Sequence, residues 1–246
     1  MTRVREYFLV VFFCVVMSSW AWATPSTTYW TPCTIDIQAA GVTHLGVDNY
    51  FGFGSNDPNR TDEFAVDVGP EWGAQLSPKL AAEFGLDILS SPYTTPFFLN
   101  AKIGYRENTI SKNAPAVQLG IFNVGTKRGT TNNQQDIVHL IVGKSLSGGK
   151  TRLCASYYIG NAASLRSSTG EVRNTGYMVA MDYQLVPGKW VLAADYASGN
   201  NVIGGGGIGV YYYFTKDISL LAGPVWFNDK VLNGSAKATV QLDINF

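Results

Sequence analysis

The feature that most constrains the fold of this chain is a strict alternation of apolar and polar residues. In the final run, residues 236–246, every second side chain is apolar, up to Phe246. Comparable runs begin near residue 41 and are separated by stretches rich in Gly, Pro, Asn and Asp, which gives twelve runs in all. A period of two residues is typical of a β-strand with one apolar and one polar face. The sequence therefore predicts an all-β protein of about twelve strands.

Aromatic residues at the ends of the runs indicate what the apolar faces contact. Phe97 and Tyr157 lie near one set of ends, Trp72 and Trp190 lie near the opposite set, and aliphatic residues fill the space between them. Two aromatic girdles around an aliphatic band are typical of a barrel in a bilayer. A secreted β-sandwich also alternates, but its buried face does not need aromatic residues at the strand ends.

The connections between the runs alternate between tight turns and longer polar loops. The tight turns read "SPK", "SGGK", "PGK" and "TKD", and the longer loops include "SNDPNRTD" and "SLRSSTGEVR". Short periplasmic turns and longer outer loops follow this pattern. An even number of strands also lets the sheet close, so that no edge stays unpaired in lipid. Residues 41–246 are therefore predicted to form a closed antiparallel transmembrane β-barrel.

The first residues have the composition of a secretory signal peptide. Arg3 and Arg5 precede an apolar stretch over residues 7–17, and the small-residue pattern Ala21-Trp22-Ala23 follows. The apolar stretch is too short to span a bilayer as a helix. Residues 1–23 are therefore predicted to be cleaved off after the last alanine of that pattern, with an uncleaved anchor as the alternative.

Charged residues lie almost wholly on the polar faces of the runs, which would line the barrel. The 18 Lys and Arg balance the 18 Asp and Glu. The chain is therefore not expected to have the strong positive potential that attracts nucleic acid. One interpretation of the lining charges is an electrostatic filter with acidic and basic rims, and the other is a paired network that fills the lumen. The predicted lumen-lining residues are Asp67, Glu71, Glu83, Asp87, Lys102, Arg106, His139, Arg152, Asp182, Asp195, Lys237 and Asp243.

The short turns also predict which of these charges meet. Aligning three consecutive runs across their short turns brings Glu71, Glu83 and Asp87 close together. Lys102 and Arg106 lie on the neighbouring strand. Arg152 and Asp182 should face each other across the seventh and eighth runs, which favours a structural pair.

No catalytic or metal site is recognisable on the polar faces. His44 and His139 both point inward in this pattern, but the sequence lacks the His-x-Ser-Asn-Gly motif of outer-membrane phospholipases. A nucleophilic site would need a Ser and a His oriented by a third polar group. We therefore predict no enzymatic activity, no cofactor and no metal, with a lipid-modifying enzyme as the weaker alternative.

From the predicted signal peptide to its last residue, the chain resembles bacterial outer-membrane β-barrel proteins of the small porin-like class. In that class the last strand commonly ends in an aromatic residue preceded by apolar residues at alternate positions. The matching residues here are Val240, Leu242, Ile244 and Phe246. The resemblance implies that the barrel-assembly machinery recognises this strand and that the protein lies in the lipid of a Gram-negative outer membrane.

The number of strands limits what such a barrel can do. About eight strands leave an interior that side chains fill, and about sixteen leave an open channel. Twelve strands lie between these cases. The predicted function is a narrow passive channel for small hydrophilic solutes or ions, and the alternative is a closed scaffold barrel in an envelope complex.

The segment before the first strand is too long and too apolar for a simple lead-in. Residues 24–40 include Tyr29, Trp30 and Cys33. Cys154 follows a periplasmic turn and faces the lumen, so both thiols lie on the oxidising periplasmic side of the membrane. We hypothesise that this segment folds into the periplasmic opening as a partial plug tethered by Cys33–Cys154. The alternative is two unpaired thiols.

Overall fold

A computed structural model of the chain describes residues 27–52, 66–89, 97–125 and 134–246, and the predicted signal peptide lies outside these ranges. The described residues form twelve strands, one for each alternating run, which confirms the predicted all-β class. The strands are β1 (Thr43–Gly52), β2 (Asp67–Gln75), β3 (Leu80–Leu89), β4 (Phe97–Tyr105), β5 (Ala116–Gly125), β6 (Ile137–Leu146), β7 (Thr151–Ile159), β8 (Thr175–Val186), β9 (Trp190–Ala197), β10 (Gly205–Tyr213), β11 (Ile218–Phe227) and β12 (Lys237–Asn245). A 3₁₀ turn (Ser147–Gly149) and a short helix, α1 (Lys230–Asn233), lie in the connections.

The strands close into one antiparallel barrel, in which each strand pairs with its neighbours in the chain and β12 pairs with β1. The closing ladder runs without a break from His44 opposite Asn245 to Gly52 opposite Lys237. Backbone hydrogen bonds between Thr43 and Phe246 extend it to the last residue. Each described strand is thereby paired on both edges, as a sheet in lipid requires. The predicted closed barrel is confirmed.

The outward face of the barrel is apolar. Leu119 and Leu140 face each other across β5 and β6 and are each 51% exposed, whereas the adjacent Gln118 and His139 are buried. Apart from Phe84 in the middle of β3, the exposed aromatic residues lie near the strand ends in two groups. The outer group includes Phe51, Phe97, Tyr157, Tyr177 and Trp226, and the periplasmic group includes Trp72, Tyr105, Trp190, Phe214 and Phe246. An apolar belt between aromatic girdles is the surface that a barrel presents to lipid.

Two prolines inside strands leave the register unchanged. The pairing of β2 with β3 and of β10 with β11 has the same register on both sides of Pro70 and of Pro224. Because proline donates no backbone hydrogen bond, the ladder is interrupted beside each of them, but no residue changes face. The register shifts instead in β4 after Leu99 and in β8 after Gln184.

The periplasmic turn after β4 is the longest turn on its side, and a neighbouring strand holds it. Lys144, near the end of β6, contacts Glu107 (3.0 Å) and Asn108 (3.1 Å) in this turn. Burial alone would raise the pKa of Glu107, but hydrogen bonds from Ser145 and the charge of Lys144 outweigh it and lower this pKa. Lys144 thus reaches polar partners although alternation points it outward.

Two outer loops are joined through Asp229. This residue caps α1 by accepting hydrogen bonds from the backbone N–H groups of Val231 and Leu232. It also accepts one from Ser168 in the β7–β8 loop (2.9 Å). The hydrogen bond from Ser168, with those from the helix, lowers the pKa of Asp229. None of the helices in the described part of the chain has the length and apolar character needed to cross a membrane.

Replacing Leu140 with Arg tests which face of β6 meets lipid. An arginine near the middle of a lipid-facing strand costs about 2–4 kcal/mol and one near the interface about 0–1 kcal/mol. Leu140→Arg should therefore lower the free energy of unfolding more than Leu146→Arg, because Leu146 is exposed at the periplasmic end of the strand. Urea titration of barrels refolded in vesicles measures both variants. Small, equal effects would contradict the assigned lipid face.

Candidate functional site

Residues 27–40, here called the lumen segment, lie inside the barrel. The segment contacts inward-facing residues of β9 to β11 at Tyr29 and ends at β2, where Ala40 forms a bridge with Gly73. Its most buried apolar residues are Tyr29, Cys33 and Ile37, with 1%, 0% and 5% of their surface exposed. The segment therefore crosses the lumen and occupies part of its cross-section.

A single carboxylate on β9 holds the start of the lumen segment. Oδ2 of Asp195 accepts hydrogen bonds from the backbone N–H groups of Tyr29 (3.0 Å), Trp30 (2.8 Å) and Thr31 (2.7 Å). The Thr31 hydroxyl donates to the same oxygen at 3.0 Å. Successive N–H groups that converge in this way form a concave anion site. They offset the cost of burying the Asp195 charge, which would be high without such partners.

Glycines on β10 and β11 form a socket for the ring of Tyr29. A Cβ atom at Gly207 or Gly209 would overlap with this ring, and one at Gly223 would crowd its hydroxyl group. The hydroxyl donates to the carbonyl oxygen of Pro224 at 2.9 Å. The glycines are thus needed for close approach of the lumen segment to the barrel wall.

Predicted basic lumen residues hold the far part of the lumen segment. Arg106 donates to the carbonyl oxygens of Ile37 (3.0 Å) and Gln38 (3.2 Å). Arg152 forms ion pairs both with Asp36 in the segment and with Asp182 on β8, its direct cross-strand partner. These cations are engaged by the segment and by the wall rather than facing open space.

Glu83 and Lys102 form a buried ion pair on adjacent strands. Their charged atoms are 2.9 Å apart, and each side chain is less than one-tenth exposed. Glu83 also accepts a hydrogen bond from the backbone N–H of Gln38 (2.6 Å), so it too fixes the lumen segment. Glu83 therefore differs from Glu71 and Asp87, with which the sequence groups it.

The interior surface opposite the lumen segment is acidic. This acidic wall consists of Asp48, Asp67, Glu71, Asp87 and Asp243 on β1, β2, β3 and β12. It lines a cavity of about 260 Å³, whose other side is formed by Tyr29, Trp30, Thr31 and Pro32. The basic side chains that line the cavity, among the described residues, are His44, Lys102 and His139. The cavity therefore carries an excess of negative charge.

The carboxyl groups of the acidic wall lie close to one another. Asp48 and Asp67 are direct partners across β1 and β2. Asp87 accepts a hydrogen bond from Asn100 at 2.7 Å, and one oxygen of Asp67 has no partner within the described ranges. The predicted lumen set omits Asp48, although it has the same parity as His44 in β1. Neighbouring carboxylates repel one another, so a positive charge placed between them would be stabilised.

His139 faces the lumen but packs as part of the wall. Its Nδ1 is 3.2 Å from the hydroxyl oxygen of Ser156, and its ring meets Phe122 edge-on with centroids 5.0 Å apart. The Nε2 atom lies against Gly120, where a Cβ would overlap with it. Nucleophilic catalysis needs a third polar group that orients the histidine, and no such group contacts this ring within the described residues.

Cys33 and Cys154 meet inside the barrel. Their sulfur atoms are 2.9 Å apart, and both side chains are buried as thiols. Cys33 belongs to the lumen segment and Cys154 to the inward face of β7, between Gly143 and Ala180 on the flanking strands. The structure thus brings together the two residues for which a tether is hypothesised.

The last strand separates its two faces completely. Lys237 and Asp243 point inward and are buried. The outward residues are the half-buried Val240, Leu242 and Ile244, followed by Phe246, which is 71% exposed. This apolar stripe is the feature that the assembly machinery is predicted to recognise.

The sequence matches no protein-family model and no curated protein. The fold, in contrast, is similar to solved porin structures. The NanC porin aligns with 83% of this chain and 98% of its own length, with a TM-score of 0.52 at 7% identity. The KdgM porin aligns over 83% and 99%, with a TM-score of 0.52 at 8% identity. This chain has the fold of a bacterial outer-membrane β-barrel.

An enzyme also aligns with this outer-membrane barrel. Outer membrane phospholipase A from Escherichia coli covers 83% of this chain and 92% of its own, with a TM-score of 0.45 at 12% identity. The two porins are less than 10% identical to this chain, so the similarity shows a shared barrel fold and no more. What the barrel does therefore has to be inferred from its own lumen.

Replacing Asp195 with Ala should loosen the lumen segment. Three N–H groups, two of them fully buried, would lose their acceptor, at a cost of about 1–3 kcal/mol. This loss favours the displaced segment by roughly five-fold or more. The rate at which a maleimide labels Cys33, measured in a Cys154→Ser background, should rise accordingly. Asp217→Ala, in an exposed periplasmic turn, is the matched control. An unchanged rate in Asp195→Ala would show that this carboxylate does not anchor the segment.

Proposed function

We propose that this protein is a narrow passive channel of the outer membrane, which admits small hydrophilic solutes and prefers cations. The acidic wall is the observation that carries the proposal. Its carboxyl groups face a cavity of about 260 Å³, a volume below that of most pockets for drug-sized ligands, which favours small solutes. Negative side chains in a cleft with low-dielectric walls concentrate cations and repel anions.

The engagement of the basic residues supports the same preference. Lys102 is paired with Glu83, and Arg152 is paired with Asp36 and Asp182. Arg106 is bound to backbone carbonyl oxygens of the lumen segment. These cations are neutralised or directed at the segment. His44 lies 3.5 Å from Asp243, but carboxyl groups still outnumber the basic side chains among the described residues that line the cavity, so negative potential dominates there.

The lumen segment supports a second candidate, a closed barrel that serves as a scaffold in an envelope complex. Its buried residues fill part of the interior, and the passage is confined to the space between residues 29–32 and the acidic wall. Conductance separates the two candidates, because a closed barrel carries no current. A lipid-modifying enzyme has less support, since the Ser156–His139 contact lacks an orienting group within the described residues.

We infer the route to the membrane from the two ends of the chain. Residues 1–23 are proposed to direct secretion and to be removed at about Ala23. The outward stripe of β12, which ends at Phe246, is proposed to be the signal for the barrel-assembly machinery. Its exposed apolar side chains on the closing strand are consistent with that role.

Neutralising the acidic wall tests the channel and its selectivity together. Asp67→Asn, Glu71→Gln and Asp87→Asn, combined in one chain, should lower the ratio of cation to anion permeability. Loss of about 1 kcal/mol of attraction corresponds to roughly a five-fold fall. Reversal potentials across planar bilayers in a salt gradient measure the ratio. Glu83 is left intact because its replacement would strand the charge of Lys102.

A matched control removes acidic charge outside the lumen. Glu171→Gln and Asp217→Asn lie in exposed connections and should leave the permeability ratio unchanged. No current from folded wild-type protein would favour the scaffold instead. A current whose ion preference does not respond to the triple variant would contradict the role of the acidic wall.

A further inference from the structure

We propose that Cys33 and Cys154 form a disulfide bond in the mature protein and that this bond latches the lumen segment inside the barrel. The first part stands on the geometry of the two thiols. The second part, the effect of the latch on permeation, rests on the proposed channel function.

The two thiols are brought together by contacts that do not involve sulfur. On one side of Cys33, Thr31 is bound to Asp195 through both its backbone N–H and its hydroxyl group. On the other side, the carbonyl oxygen of Ile35 accepts a hydrogen bond from Gln118 at 2.6 Å. These anchors fix the backbone around Cys33 to strands β9 and β5. The sulfur atoms then lie 2.9 Å apart without any further movement of the segment.

The surroundings of the pair suit a permanent bond. Cys33 is 0% and Cys154 is 8% exposed, and the Cys33 thiol also contacts the carbonyl oxygen of Met178 at 3.7 Å. Gly143, opposite Cys154, leaves room for the side chain of Ile35, since a Cβ there would overlap with it. A disulfide in this position is enclosed by the barrel wall and is shielded from small thiol reductants.

The chemistry of the bond balances with a periplasmic oxidant. The two thiols give up two protons and two electrons as the S–S bond forms. Both protons and both electrons pass to a protein disulfide of the thiol-oxidising machinery, which becomes two thiols. Because both sulfur atoms are enclosed in the folded barrel, exchange with that protein takes place before the lumen segment is fully inserted.

The bond would add a covalent restraint to the hydrogen bonds that hold the lumen segment. The two cysteines are 121 residues apart in the chain, so the bond ties the segment before β1 to the seventh strand. Residues 29–32, just before Cys33, form one side of the cavity. The latch therefore keeps the passage at its narrow width even when individual hydrogen bonds of the segment open.

The bond itself is tested by mass spectrometry, without any measurement of conductance. Protein purified from outer membranes is alkylated in denaturant without reductant and then digested. We expect one linked peptide pair that contains Cys33 and Cys154, with neither residue alkylated. Alkylation of both cysteines in the bulk of the protein would overturn the proposal, whether or not the barrel conducts.

The latch is tested by comparing oxidised protein with the Cys33→Ser/Cys154→Ser variant. Protease cleavage within residues 27–40 should be at least ten-fold faster in the variant, and its single-channel current should be larger or should fluctuate between levels. Should this variant fail to fold, the Cys33→Ala/Cys154→Ala variant takes its place. Equal cleavage rates would overturn the latch. A linked, protected segment in a barrel without current would refute the channel while leaving the disulfide intact.

Discussion

Closure of the sheet by β1 and β12 is the constraint on which the rest of the structure depends. In lipid every backbone N–H and C=O group needs a partner, and this ladder supplies partners for two strands that would otherwise be edges. With an even number of strands, closure also brings both ends of the barrel to one side, where Thr43 and Phe246 exchange backbone hydrogen bonds. The lumen segment consequently enters the barrel from the end at which β12 finishes.

Closure also creates an interior that the strands alone do not fill. A barrel of twelve strands is wider than one that its own side chains can pack, and glycines such as Gly207 and Gly209 widen it further on one side. The ring of Tyr29 occupies the space left by these glycines. Its hydroxyl group donates to the carbonyl oxygen of Pro224, beside which the β10–β11 ladder is interrupted. The lumen segment thus supplies a hydrogen bond to the wall at the point where the ladder between β10 and β11 is interrupted.

What the sequence predicts well is set by local periodicity. A period of two residues fixes the strands, the face of each side chain and the aromatic girdles, because these depend on neighbours along one strand. The hydrogen bonds from the lumen segment to Asp195 cannot be predicted in this way, since they join residues about 165 positions apart. Parity places Asp195 in the lumen, but the lumen segment has no periodicity from which its path could be predicted. Asp48 is different, because the parity of β1 was sufficient to identify it.

The insertion of the lumen segment also determines which charges in the lumen are paired. A list of inward charges does not distinguish a filter from a paired network, because it does not say which acidic residues contact which basic ones. The contacts of the lumen segment show which of these charges are paired on its own side of the barrel. Arg106 and Arg152 turn towards its carbonyl groups and Asp36, and Glu83 binds its backbone while pairing with Lys102. On that side the charges form a paired network.

On the opposite side the segment offers no cations to the wall. Asp48, Asp67 and Asp87 face the remaining cavity there, and His44 on the same side is paired with Asp243 at 3.5 Å. The paired network therefore describes one half of the lumen, and acidic groups are concentrated in the cavity of the other half. The lumen segment binds Arg106 and Arg152 on one side of the barrel, and the carboxyl groups of the acidic wall line the cavity on the other side.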